Sequence, residues 1–161
     1  MFNQAYAAAL AALKIGPWYV EVNMDNGALV WPTFQSLQCF WPGIQALVGD
    51  LEAAAETMEA FYRIWLVHGA HAVHRRPEMC YLRGTVGAVP EGFNLHKKGV
   101  PSGQAGYPLR PELAESAMYM HQATLDPIYL EIGKQMVRSL QTITRVPCGF
   151  ARCAKFATKL L

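Results

Sequence analysis

The stretch "YPLRPELAES", Tyr107–Ser116, sets an Arg-Pro pair directly before two carboxylates three positions apart: Arg110, Pro111, Glu112 and Glu115. These residue types at this spacing suit acid–base chemistry on a polar substrate. Proline is pre-set for the first position of a helix, so Glu112 and Glu115 fall in its first turns and, at i and i+3, on one face. The N-terminus of a helix carries partial positive charge and free N–H groups, which favour ionised carboxylates. Arg110 beside them pushes in the same direction. An ionised Glu112 is suited to be a general base rather than a general acid. The plainer reading is capping, because glutamate is common in the first turn of any helix.

A second group imitates a metal site. His68, His71 and His74 recur every third residue, with Cys80 beyond, and imidazoles on one helix face can ligate zinc. Gly69 interrupts the triplet, no carboxylate joins it, and Arg75-Arg76 follows, which disfavours a bound cation. Trp31, Phe40, Trp41, Phe61 and Trp65 form a third group, able to stack on sugars. At helical spacing such aromatics are more often core.

These groups need elements to position them. The sequence predicts a helix over 4–14, closed by Gly16-Pro17, and then a hairpin over 19–31. There Tyr19, Glu21 and Asn23 alternate with Val20, Val22 and Met24 around the turn-former Asn26-Gly27. Residues 33–48 carry a helical period that Pro42-Gly43 kinks or interrupts. Asp50 caps a helix whose stripe is Leu51, Ala54, Met58, Phe61 and Trp65, reaching about His68. Two more helices are expected, from Pro111 to about Thr124 and from Pro127, with Asp126 as cap. The last has the stripe Tyr129, Ile132, Met136, Leu140 and Ile143. Consecutive amphipathic helices imply an α/α layered or toroidal arrangement. Residues 69–108, rich in glycine and proline, show no sustained period and read as loop.

The 161 residues allow one domain with a real core. A formal net charge of +2, with 16% charged residues and no basic stripe, excludes nucleic acid as a natural partner. No apolar run is long enough for a transmembrane segment. Four cysteines without a C-x-x-C pair leave the redox compartment open.

The chain resembles class I α-1,2-mannosidases, glycoside hydrolase family 47, in several blocks that occur in the same order. They are "GPWYVEVNMDNG", "FQSLQCFWPGIQALVGD", "VPEGFNL", "LRPELAES", "ATLDPIYLEIG" and "TRVPCGFA". Ser36-Leu37-Gln38 resembles the ER degradation-enhancing α-mannosidase-like branch. The resemblance implies an all-α fold, part of an (α/α)7 barrel, over residues 1–151, with 71–88 as an insertion and 152–161 as a divergent tail. It implies Ca²⁺ dependence, inverting removal of mannose from high-mannose N-glycans, and residence in the endoplasmic reticulum lumen. By resemblance Glu112 matches the family's general base, and Arg110, Glu115 and Glu91 its substrate-contacting residues. The family's general acid is expected before residue 1 and its calcium-holding threonine after residue 161. Two rival expectations stand beside this: a glycan- or glycoprotein-binding module without chemistry, and a helical metal-binding protein using the histidine triplet.

Overall fold

The computed structural model describes residues 1–73 and 87–152. Alanine-rich α1 (Phe2–Leu13) forms on high intrinsic propensity. The Gly16-Pro17 pair does more than end it. Gly16 takes φ +57°, and the chain turns back so that β1 (Lys14–Ile15) pairs with β2 (Trp18–Tyr19).

The expected 19–31 hairpin is present as β3 (Glu21–Val22) against β4 (Leu29–Trp31), with an irregular register between Glu21 and Val22. Its turn is built on Asn23, whose side chain accepts the N–H groups of Asp25 and Asn26 at 2.8 and 3.2 Å. Gly27 adds φ +69°, a conformation that glycine adopts without steric cost.

Residues 33–48 are not one interrupted helix. They divide into β5 (Thr33–Gln35), a 3-10 helix (Ser36–Phe40) and α2 (Trp41–Leu47). β5 pairs antiparallel with β6 (Gly92–Asn94), Phe34 opposite Phe93 and Gln35 opposite Gly92. That partner lies far along the chain, inside the stretch read as loop, so local periodicity held no trace of it. Pro42 falls in the first turn of α2, where a missing N–H is tolerated.

α3 (Leu51–Val73), α4 (Glu112–Thr124) and α5 (Ile128–Ile143) follow the predicted pattern, except that α3 runs past its expected end near His68 into the stretch read as loop. The carboxylate of Asp50, expected as a cap, instead accepts the Tyr6 hydroxyl at 2.8 Å and fastens α1 to the start of α3. Asp126, also expected as a cap, lies one residue before the N-cap, which is Pro127; its carboxylate accepts the Ile128 N–H at 2.9 Å across the turn that leads into α5. A last short hairpin joins β7 (Arg145–Val146) to β8 (Gly149–Phe150). The core lies between α3, α4 and α5, where Phe34, Met58, Phe61, Trp65, Val89, Tyr107, Leu113 and Met136 are buried together. Of the five aromatics considered for sugar stacking, Phe61 and Trp65 are core, Phe40 and Trp41 are half-buried, and Trp31 is exposed.

Residues 74–86 of the segment expected to be an insertion lie outside the described residues. Its last two are packed. Gly87 donates to Ser139 Oγ at 2.9 Å, and Ala88 to the Trp65 carbonyl at 3.3 Å. A Cβ on Gly87 would sit 1.9 Å from Trp65 Nε1, so only glycine fits there. Among the described residues, no helix is long and apolar enough to cross a membrane.

Candidate active site

The charged group of the opening motif is set by a sharp backbone turn. Leu109 adopts φ +66°, the left-handed region that side-chain-bearing residues rarely occupy and that tends to mark functional sites. Pro111 then serves as N-cap of α4, and its carbonyl accepts the first helical bond from Glu115 N at 2.9 Å. Glu112 is therefore the first residue of the helix.

Arg110 does not turn toward Glu112 or Glu115, as its place beside them suggests. Its guanidinium forks onto Glu91, Nε to Oε1 and Nη2 to Oε2, both at 3.1 Å. Bidentate pairing matches the planar geometries of the two groups. This bond, more than the Coulomb attraction of Glu91 and Glu112, raises the Arg110 pKa above its ordinary value. Glu91 is fixed through its backbone as well: its N–H donates to Gly106 O at 3.1 Å, and its carbonyl accepts Ser36 N–H at 3.0 Å. The β5–β6 pairing is thus what carries Glu91 to Arg110.

Glu112 is half-buried, and its Oε2 is sealed from solvent without a hydrogen-bond partner among the described residues. Its neighbours register its charge. Burial pushes the Cys39 thiol well up, and Glu112 adds to the shift. Burial also pushes the Tyr107 phenol up to about 12, with further contributions from Cys39 and Glu112. Both groups stay protonated at neutral pH. Glu115, one short turn later, is exposed. The two glutamates therefore share a side of the helix but not an environment.

Next to this group lies an apolar cavity of about 280 Å³, lined by Trp65, Tyr107, Arg110, Met136, Leu140 and Phe150. It meets α4 at Pro111 and Ala114 rather than at Glu112. Aromatic walls with one cation at the edge suit a polyhydroxylated ring, which offers apolar faces and polar edges.

Reading the sequence missed one residue of the motif itself. Ser116 is fully buried, donates to the Cys39 carbonyl at 2.6 Å and accepts the Gly43 N–H at 3.1 Å. Its spacing, four residues after Glu112, is the signal that marks it as sharing that face.

Among the described residues, no group of three or more His, Cys, Asp or Glu side chains is placed to hold a metal ion. Calcium asks for six to eight oxygen ligands. Here Glu91 is committed to Arg110 and Glu112 stands without a second carboxylate, so the described residues do not fit a calcium shell. The His68, His71 and His74 side chains lie outside the described residues.

The sequence model of glycosyl hydrolase family 47 matches residues 1–158. The chain is 45% identical to alpha-mannosidase I MNS4 of Arabidopsis thaliana, over 93% of this chain and 21% of that protein. It is 38% identical to human ER degradation-enhancing alpha-mannosidase-like protein 2, over 94% of this chain and 23% of that protein. The chain thus spans less than a quarter of these relatives. In three dimensions it resembles the alpha-1,2-mannosidase from Trichoderma reesei, with a TM-score of 0.67 and 14% identity, covering 96% of this chain and 35% of that one. The helix-rich fold is accordingly part of an (α/α)7 barrel.

Proposed function

The chain belongs to glycosyl hydrolase family 47, and on that premise we propose that it supplies the general-base side of a barrel that trims α-1,2-linked mannose from N-glycans. The observation that carries the proposal is Glu112 itself, an acceptor in the first turn of α4 whose buried Oε2 has no hydrogen-bond partner among the described residues. A carboxylate so placed is ready to take a proton from a water held against the sugar. In inverting hydrolysis a base does this while an acid on the opposite side protonates the leaving oxygen, the two carboxyl groups standing roughly 6.5–9.5 Å apart to admit the water.

Arg110 and Glu91 form one rigid polar unit that contacts sugar hydroxyls, and the exposed Glu115 contacts the ring from the helix face. High-mannose N-glycans are the substrate class, and the endoplasmic reticulum lumen is the proposed compartment. The naming of relatives for endoplasmic reticulum degradation supports both. Calcium is the cofactor that the family resemblance implies. The described residues do not form its shell, and no step here passes through it.

The test uses the full-length protein carrying this chain. Glu112→Gln keeps the side-chain length and removes the base, so mannose release in single turnover should fall by roughly 10²–10⁴, with glycan affinity changed far less. Near-normal release by Glu112→Gln would overturn the assignment. Glycan binding with no turnover by the unaltered protein would replace it with a binding function.

A further inference from the structure

We infer that Ser116 is the positioning residue for Glu112, fixing the depth of its carboxylate through a single buried hydroxyl. The inference rests on the reading of Glu112 as the base. The Glu112 carboxylate has no donor of its own at Oε2 among the described residues. That buried oxygen is therefore placed by how α4 is seated.

The seating runs through Ser116. The 3-10 helix ends at Phe40, and α2 begins at Trp41 without a side-chain cap of its own. Gly43 is in the first turn of α2, so its N–H is among those that the helix leaves unpaired. The Cys39 carbonyl is left over at the end of the 3-10 turn. Ser116 Oγ satisfies both at once, donating to Cys39 O at 2.6 Å and accepting Gly43 N–H at 3.1 Å. A hydroxyl can do this because it carries one donor and two acceptor sites. One serine of α4 thereby serves as the cap of another helix.

The approach is close. A Cβ built on Gly43 would lie 2.9 Å from Phe40 Cε2 and 3.2 Å from Ser116 Oγ, so glycine is what lets α2 come within reach of the hydroxyl. Ser116 is one turn after Glu112 on the same face of α4. The Cys39 residue it grips is also the one whose thiol feels the Glu112 charge. Whatever sets the rotation and depth of Ser116 sets those of Glu112.

The experiment compares Ser116→Ala, Gly43→Ala and the double variant in the full-length protein, each assayed well below its melting temperature, with Glu112→Gln as reference. Displacement of a catalytic group by about 1 Å costs on the order of 10²-fold. Ser116→Ala should therefore lower kcat by roughly 10- to 100-fold while KM stays within about threefold, and should displace the acidic limb of the kcat–pH profile. Gly43→Ala pushes on the same hydroxyl from the other side and should give the same split. The double variant should be less than additive, because both changes act through one group. If Ser116→Ala and Gly43→Ala lower only the melting temperature and leave kcat and the pH limb in place, Ser116 is structural and the inference falls. If Glu112→Gln retains turnover, the base assignment falls and the positioning role goes with it. Loss of turnover in Glu112→Gln alone removes only the role of Ser116.

Discussion

Arg110 grips Glu91 with two parallel bonds of 3.1 Å across nineteen residues of chain, so the two behave as one polar unit. Their side chains are 31% and 36% exposed. Solvent screening keeps the contribution of such a pair to stability at or below about 1 kcal/mol.

The pair should matter more for binding than for folding. Arg110→Lys retains the charge but not the fork, so Glu91 is released to rotate. The expected result is a melting temperature within a few degrees of the parent and a roughly tenfold weaker affinity for a high-mannose oligosaccharide, read by calorimetric titration. Unchanged affinity would remove the pair from the sugar contact.

Tyr107 supplies a pH signature. Its folded pKa is raised from 10.0 to about 12, first by burial and then by the charges near it. A group with a raised folded pKa contributes stability that is complete below its unfolded pKa and is lost as pH climbs through the folded value. Stability should therefore decline between pH 10 and about 12. The decline should be shallower in Tyr107→Phe, which keeps the ring packed against Trp65 and gives up only the hydroxyl. Phenolate absorbance and denaturant melts across that range are the measurement. Equal slopes in both proteins would assign the effect to other groups.

The 71–88 segment gives a third prediction. Gly-Ala occurs at 69–70 and again at 87–88, so removing 71–88 leaves Gly69-Ala70 directly before Val89. The Ala88 N–H now donates to the Trp65 carbonyl. In the shortened chain Ala70 takes that place five residues after Trp65, the spacing of a Schellman closure with Gly69 at C′ free to adopt positive φ. We expect the shortened chain to fold and to melt ~2–4 °C higher, the change that about 1 kcal/mol brings to a domain of this size. Loss of a cooperative melt on deletion would show that 71–88 is integral.

What the sequence disclosed, and what it did not, follows the range of each interaction. The stripes of α3, α4 and α5 and the turn at Asp126-Pro127 are local, with periods and side chains that declare themselves within a dozen residues. The pairing of Phe34 with Phe93 and the fork from Arg110 to Glu91 are long-range. Nothing near Gly92 announces a strand, because three residues among glycines and prolines carry no period. Asp50 was legible as a helix cap and became the partner of Tyr6, a competition between two donors that only packing decides. Glu112 and Arg110 stood out by type and spacing, yet the direction of the guanidinium depended on where β6 delivers Glu91. Ser116 is chemically quiet in sequence and acquires a role only once α2 arrives beside it.

The bridge at Ser116 also has a kinetic meaning. It joins residues separated by 77 and 73 positions, so the chain must close loops spanning nearly half its length before the hydroxyl meets either partner. Loop closure of that reach costs entropy that only late packing repays. The motif 107–116 holds Arg110, Glu112 and Glu115 together locally, but their seating against Glu91, Cys39 and Gly43 needs the long-range contacts. During refolding, helical signal should recover first and carbohydrate recognition last, which stopped-flow circular dichroism alongside glycan binding would resolve. A partly folded form of this chain would thus have its helices before it has the Ser116 bridge.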